Sequence, residues 1–388
     1  MRRVPAVPIL FAAFLIASRS SAQKVPERTL SKPEVELAQP FSDLTAIREL
    51  RDGRVIVVDG RELKVQVVDF RAGTAATIGR NGEGPGEYRW PGRLHALPGD
   101  STLLQDQAGG RLLIITPDAK PGGFLDLNRP GDAAPGRRFF LRFSDALGRL
   151  YAQAEPIRIG ADGVAQLTDS SAIERLDRAS GVRDTVADWP LRKDAGARLM
   201  NGMVITMPRR QPFPAWDQWL VSPDGRIAFL FYEPYRVDYV APNRALTHGK
   251  PIPYERVKVD AALKEQYREE RRRPSMAMTA SRGGASTIGP IKMPYQEPSD
   301  WPESLPPFLS AAPSFSSDGM LWIKRATAAG VAPTFDLIDG KGELVERVIL
   351  PKRSKLVGFG NGTVYLVRLD EDDLQYLQRH RLGMTRRP

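Results

Sequence analysis

Three histidines, His95, His248 and His380, are the only imidazoles in the 388 residues. Metal-binding imidazoles usually come at short ligand spacings, and these three stand far apart in the chain. They read as structural: His95 in a strand, His248 in a turn, His380 near the C-terminus. Sequence order alone leaves a Ser-His-Asp triad open, but no Gly-x-Ser-x-Gly nucleophile elbow is present. The stretch Ile78-Gly-Arg-Asn-Gly-Glu-Gly-Pro-Gly-Glu-Tyr-Arg-Trp-Pro91 concentrates four glycines and two prolines after a strand-like run. Such a loop can cradle phosphate, yet no Lys-Ser/Thr follows the glycines and no apolar helical pattern offers an N-terminus. It therefore reads as a shaped connector. Aromatic residues interleave with prolines at Trp189-Pro190, Pro212 to Trp216, Tyr232 to Tyr235, Tyr295 and Trp301-Pro302. Exposed together they would suit a sugar, peptide or protein surface. Packing between sheets is the stronger reading of them. Met203, Met207, Met276, Met278 and Met293 are scattered through loops and form no thioether ligand set.

The segments that must position these residues begin after a targeting sequence. Met1-Arg2-Arg3, an apolar run from Val4 to Ile16, and small residues at Ser20 and Ala22 read as a secretory signal over residues 1–22, cleaved after Ala22. The apolar run is too short to span a bilayer, and no second run of ~20 apolar residues follows. The expected address is periplasmic or extracellular. The absence of cysteine excludes disulfides and a lipidated cysteine at the cleavage site. An exported chain of about 360 residues must then rely on its core, which that length allows. The formal charge of +10 falls to +7 when Arg2, Arg3 and Arg19 leave, 53 basic residues against 46 acidic. That surplus can attract anionic surfaces or polyanions. No aromatic-basic motif points to nucleic acid, and the densest basic run, Arg268 to Arg273, also carries Glu269 and Glu270.

One unit recurs: a short apolar run, a glycine turn, an alternating run, a break, and a second alternating run. In the first copy Val55, Val57, Val65 and Val67 alternate with the period of a strand, and Thr74 to Ile78 supplies a fourth. Four antiparallel strands joined by hairpin turns make one propeller blade. The turn glycines recur at 53, 99, 148, 225, 319 and 362, which predicts six blades. The 77-residue and 94-residue gaps between the third, fourth and fifth turns must carry insertions. The first holds an extra hairpin, Arg158 to Thr168, and a loop from Asp188 to Pro214. The second holds the one convincing helix, Asp260 to Arg273, capped by Asp260 and stopped by Pro274, then an irregular Pro/Gly/Ser/Met-rich stretch to Pro307. The sixth unit ends after its third strand, so residues of about 25–40 are expected to complete it and hide two strand edges. The expectation is all-β: one domain, residues 23–388, a six-bladed β-propeller of four-stranded antiparallel blades with one helical and irregular insertion (260–307) before blade five.

The stretch from Ile78 to Pro91 resembles the inter-blade Gly-x-Gly-x-Gly-Pro-Gly-Glu-Phe-x-x-Pro signature of NHL-type six-bladed propellers, with Tyr88 in place of Phe. Asp52-Gly-Arg-Val-Ile-Val-Val-Asp59 and Val65-Gln-Val-Val-Asp69 resemble the matching blade interior, with Glu62 in place of the usual Asn. The resemblance covers Leu44 to Leu113 well and the remainder only in pattern. Trp301-Pro-Glu-Ser-Leu-Pro-Pro-Phe308 looks like an insertion of exported, uncharacterised bacterial members, which carry no agreed activity. Six-bladed relatives also include calcium-dependent lactonases and peptidyl-hydroxyglycine lyases, whose sites lie on the channel axis. By that resemblance the corresponding positions are Asp59, Arg61, Asp106, Gln107, Glu155, Glu233, Tyr235, Arg325 and Asp370, at the breaks between second and third strands. Carboxylates converging there could hold Ca²⁺, which takes six to eight oxygens. Asp and Gln are also ordinary turn formers, and Arg61 and Arg325 dilute the negative charge.

Two readings follow. The preferred one is a monomeric exported binding or scaffold module that presents a channel-mouth site to a small molecule, glycan, peptide or protein, without a cofactor. The alternative is a lactonase-like hydrolase or a lyase with an axial divalent cation. The geometry of the five carboxylates discriminates between them.

Overall fold

The computed structural model describes residues 25–382 apart from 31, 108–109, 128–138, 161–164, 192–196, 201–202, 207–211, 273–274, 281–285, 292–293 and 310–312. The expected signal segment lies outside the described residues, as do Met207, Pro274 and Met293. The protein is a six-bladed β-propeller. Blade one comprises Leu44–Glu49, Val55–Asp59, Lys64–Asp69 and Thr74–Thr77; blade two comprises Pro91–Ala96, Thr102–Asp106, Arg111–Ile115 and Pro121–Leu125. Blade three is built from Leu141–Ser144, Leu150–Gln153, Ser170–Leu176 and Arg183–Pro190, and blade four from Gln218–Val221, Ile227–Tyr232, Tyr235–Val240 and Leu246–Thr247. Ser314–Phe315, Leu321–Lys324, Thr334–Ile338 and Leu344–Ile349 form blade five; Ser354–Gly360, Thr363–Leu369 and Gln375–Arg381 form blade six.

The six turn glycines all join first strands to second strands, and all have positive φ, from 69° at Gly362 to 87° at Gly53 and Gly225. That left-handed conformation is open to glycine at no steric cost, which is why the period is visible in the sequence. Second strands are buried on both faces. In blade one Val55 and Val57 enter the apolar cluster shared with Tyr365, Val367 and Leu377 of blade six. Ile56 and Val58 enter the cluster shared with Leu104, Leu113 and Ile115 of blade two. Each successive pair of blades shares such a cluster, and the last closes the ring back onto the first. A period of two thus places alternate residues against opposite neighbours.

The outer position of blade six is filled by Val35–Phe41, antiparallel to Gln375–Arg381. An additional segment, Glu27–Thr29, runs parallel to Leu344–Ile349 and gives blade five a fifth strand. The N-terminal chain therefore covers two outer edges in succession, which removes their unpaired backbone groups from solvent. Neither the fifth strand nor the two-residue outer strand of blade four is marked by an alternating pattern in the sequence.

Up-and-down strands send alternate connections to opposite faces of the ring. The glycine turns lie on one face. Breaks between second and third strands, together with every crossing between blades, lie on the other. Both large insertions emerge on this second face. The helix is Ala261–Arg272, with Leu263 N–H donating to the Asp260 carboxylate at 2.9 Å, as an N-cap does. Its Leu263 is buried with Val259, Leu305 and Ala326, and Tyr267 packs edge-on against Phe213 and Trp301. Beyond the helix the chain is more regular than its composition suggests. Ser275–Ala280 pairs antiparallel with Ser286–Ile291, and Ala197–Met200 pairs with Met203–Thr206 where a loop was expected. Local Thr, Ile and Val content favours these short hairpins despite the surrounding Pro and Gly.

Candidate functional site

First strands line the inside of the ring: Leu44–Glu49 lies against both Pro91–Ala96 and Ser354–Gly360, and Leu141–Ser144 lies against Pro91–Ala96 and Gln218–Val221. At the mouth between blades one and two is a pocket of about 500 Å³ lined by Asp43, Thr45, Arg61, Trp90, Arg93 and Gln107 among others. The structure brings two of the nine expected residues, Arg61 and Gln107, into this one pocket.

Asp59 and Asp106 sit immediately behind it and perform the same task in successive blades. Asp59 is buried and accepts backbone N–H groups from Ser42 at 2.8 Å, Asp43 at 3.2 Å, Arg61 at 3.1 Å and Glu62 at 3.0 Å. Asp106 is buried and accepts those of Arg89 at 3.1 Å and Trp90 at 2.9 Å, with the Arg111 guanidinium at 3.3 Å. Each carboxylate therefore fixes the chain where it enters its own blade, and Asp59 also shapes the turn that carries Arg61. Buried carboxylates are stabilised by such donors, and a full set leaves few lone pairs for a metal.

The remaining candidates lie elsewhere. Glu155 and Glu233 are exposed, and Asp370 accepts Asp372 N–H at 3.0 Å and Leu374 N–H at 2.9 Å within its own turn. Tyr235 is buried between blades four and five, where its hydroxyl donates to Asp336 at 3.0 Å. Burial, then the neighbouring Asp336 charge, hold its phenol well above the ordinary range. Arg347 and Arg325 approach the same Asp336 carboxylate at 3.0 and 3.8 Å. Tyr235 and Arg325 thus meet, but in an inter-blade network. Among the described residues no group of three or more His, Asp and Glu side chains is arranged to hold a metal ion. The five carboxylates do not offer the oxygen cage that calcium takes.

Trp90, Arg93, Asp43 and Thr45 also line the pocket and are not among the nine residues expected from the sequence. Trp90-Pro-Gly-Arg93 directly follows the glycine-rich crossing, and its position at the start of an innermost strand was the available signal. The crossing itself is held by Tyr88, which is buried between blades one and two, accepts Val65 N–H at 2.9 Å and donates to Ile78 O at 3.0 Å. One of its glycine amides faces an anion of the chain's own: Gly84 N–H donates to the Glu87 carboxylate at 2.7 Å, and Arg80 pairs with it at 2.5 Å. The Gly84 amide, then the Arg80 side chain, lower the Glu87 pKa. The expected aromatic packing is present at Trp189, which stacks on Phe231 and meets Phe229 edge-on, and at Trp301, whereas Trp216 is 47% exposed.

No known family profile matches the chain. No curated protein matches it either. Solved structures share its fold at low identity. A candidate exported protein of Bacteroides fragilis aligns at 11% identity over 92% of this chain and 99% of its own, with a TM-score of 0.47. The calcium-binding protein regucalcin of Agrobacterium tumefaciens aligns at 13% identity over 91% and 95%, with a TM-score of 0.40. Virginiamycin B lyase of Staphylococcus aureus aligns at 14% identity over 88% and 82%, with a TM-score of 0.35. These likenesses are of fold. No helix among the described residues is long and apolar enough to cross a membrane.

Proposed function

We propose that this chain is an exported, NHL-like propeller that acts as a binding module, with the pocket between blades one and two at the channel mouth as its site. The observation that carries the reading is the pocket itself: about 500 Å³, within the size range of small-ligand sites, with charged, amide and aromatic side chains facing one space. Support also comes from the face on which it opens, since both large insertions emerge there. Binding residues concentrate on loops held by a rigid scaffold, and this is the elaborated face. Calcium-dependent hydrolysis or elimination gains no support from Asp59, Asp106 and Asp370, whose carboxylates accept backbone N–H groups.

The test is a ligand-observed NMR screen of the mature protein against sugars, sugar acids, short peptides and aromatic acids, repeated with Thr45→Trp. Thr45 is exposed and lines the pocket, so an indole there fills the mouth without disturbing the core. Hits that disappear in the variant support the site. Hits that all survive in a folded Thr45→Trp protein overturn it.

A further inference from the structure

Most arginines in this protein have a carboxylate beside them, as Arg48 has Asp100 at 2.9 Å, Arg149 has Asp145 at 2.5 Å and Arg368 has Glu36 at 2.8 Å. Arg51, Arg71, Arg158, Arg178, Arg256 and Arg271 have none among the described residues and lie apart from one another, whereas Arg61, Arg93 and Arg142, which also form no ion pair among the described residues, belong to one region of the inner wall or its rim. Arg93 and Arg142 occupy neighbouring first strands. The Arg93 guanidinium donates to the Arg142 carbonyl at 2.9 Å and lies 5.5 Å from the Phe143 ring centre. Arg142 donates to Gln153 at 2.8 Å and lies 5.9 Å from the Trp219 ring centre.

Like charges on adjacent strands cost stability unless something else repays their proximity. Both side chains are open to water yet ringed by protein, so each loses hydration. Desolvation lowers the pKa of Arg93, and desolvation followed by the charge of Arg93 lowers that of Arg142. The pocket's own carboxylate does not offset them. Asp43 is already engaged by Lys355 at 3.3 Å and by the Gln375 amide at 3.2 Å. Beside the arginines stand Gln107 and the half-buried Trp90. The Gln107 amide nitrogen lies where a side chain at Gly92 would begin, 2.3 Å from that point, so glycine gives the amide its room.

We infer that the mouth pocket takes a small organic carboxylate, held by Arg61 and Arg93 with Arg142 behind them, and seated by its ring or apolar body beside Trp90. A guanidinium presents a planar fork that matches a carboxylate, and a partly dry concave wall strengthens the pairing. An indole supplies the apolar surface that a bare inorganic anion would not use. The inference rests on the mouth-site reading and narrows it to one ligand chemistry.

Calorimetric titration of the mature protein at fixed ionic strength tests it, with isophthalate, its neutral analogue isophthalamide, and sulfate as probes. Isophthalate is expected to bind, with isophthalamide and sulfate each at least tenfold weaker. Arg93→Gln and Arg61→Gln should each weaken isophthalate about tenfold, equivalent to about 1.4 kcal/mol. A charge-matched control, Arg71→Gln on the opposite face, should leave its affinity unchanged. Thermal unfolding of each variant confirms that it is folded. Equal binding of isophthalamide, lost in Thr45→Trp, overturns the carboxylate assignment and leaves the mouth site standing. Isophthalate binding that survives Thr45→Trp and Arg93→Gln but falls in the control overturns the mouth site. Sulfate binding as tightly as isophthalate overturns the role given to Trp90, and absence of binding by every probe at millimolar concentration overturns the inference.

Discussion

Replacing His95 with leucine should remove a specific acid sensitivity. His95 lies on the innermost strand of blade two, is 5% exposed, and its Nε2 has no hydrogen-bond partner. Burial pushes its pKa down from 6.5 to about 4, against a smaller opposing effect of its bond with Gln105 and with a further lowering by Arg93. The folded protein therefore keeps the ring neutral where the unfolded chain would protonate it. The resulting stability is complete above about pH 6.5 and is lost as pH falls from there to about 4. A difference of about 2.5 pKa units corresponds to about 3 kcal/mol, at roughly 1.4 kcal/mol per unit. Leucine has similar bulk and no proton to take up. Urea unfolding followed by tryptophan fluorescence at half-unit steps from pH 7.5 to 4 measures both proteins. The gap in stability between His95→Leu and the parent should shift by about 3 kcal/mol in the variant's favour across that window. Parallel curves, with the gap changing by under about 1 kcal/mol, refute the buried neutral histidine.

Tyr88→Phe removes a hydroxyl that serves one buried N–H and one buried carbonyl, so unfolding free energy should fall by about 1–3 kcal/mol with the fold retained. Chemical denaturation reads this, and an unchanged midpoint would show that the crossing is not anchored there. Asp59→Ala leaves four backbone N–H groups without their acceptor and should cost at least about 3 kcal/mol, more than the same change at the exposed Glu155. Comparable melting temperatures for the two would contradict the structural role of Asp59. Deleting residues 25–42 uncovers the outer edges of blades five and six, and light scattering should then show self-association. A monomeric, equally stable truncated protein would argue against edge protection.

Much of the fold is legible in the sequence because its signals are forced by backbone geometry. A tight turn of positive φ favours glycine, so Gly53, Gly225 and Gly319 mark blades, and a strand buried on both faces demands the continuous apolar run Val55-Ile56-Val57-Val58. The parallel segment Glu27–Thr29 carries no such signal, since a three-residue outer strand needs only backbone pairing. The insertion's hairpin was hidden by a composition that reads as irregular. The site was less legible, for a physical reason. Asp59 and Asp106 have the residue type and position of axial ligands, and the same type and position serve to cap backbone N–H groups. Only the direction of the side chain separates the two. Arg61 and Gln107 were named from their place at strand breaks, whereas Arg93 and Arg142 belong to first strands, where nothing local distinguishes a lining arginine from a paired one. Their lack of carboxylate partners is visible only after folding.

In the proposed site the ligand occupies the space beside Trp90. Fluorine NMR of protein labelled with 5-fluorotryptophan tests it directly, because the six tryptophans give separate resonances and Trp90→Phe identifies one of them. On titration with isophthalate the Trp90 resonance should move in saturable fashion while those of Trp189, Trp301 and Trp322, packed in the clusters between blades and under the helix, stay in place. A Trp90 resonance that stays still while another responds would contradict the claim.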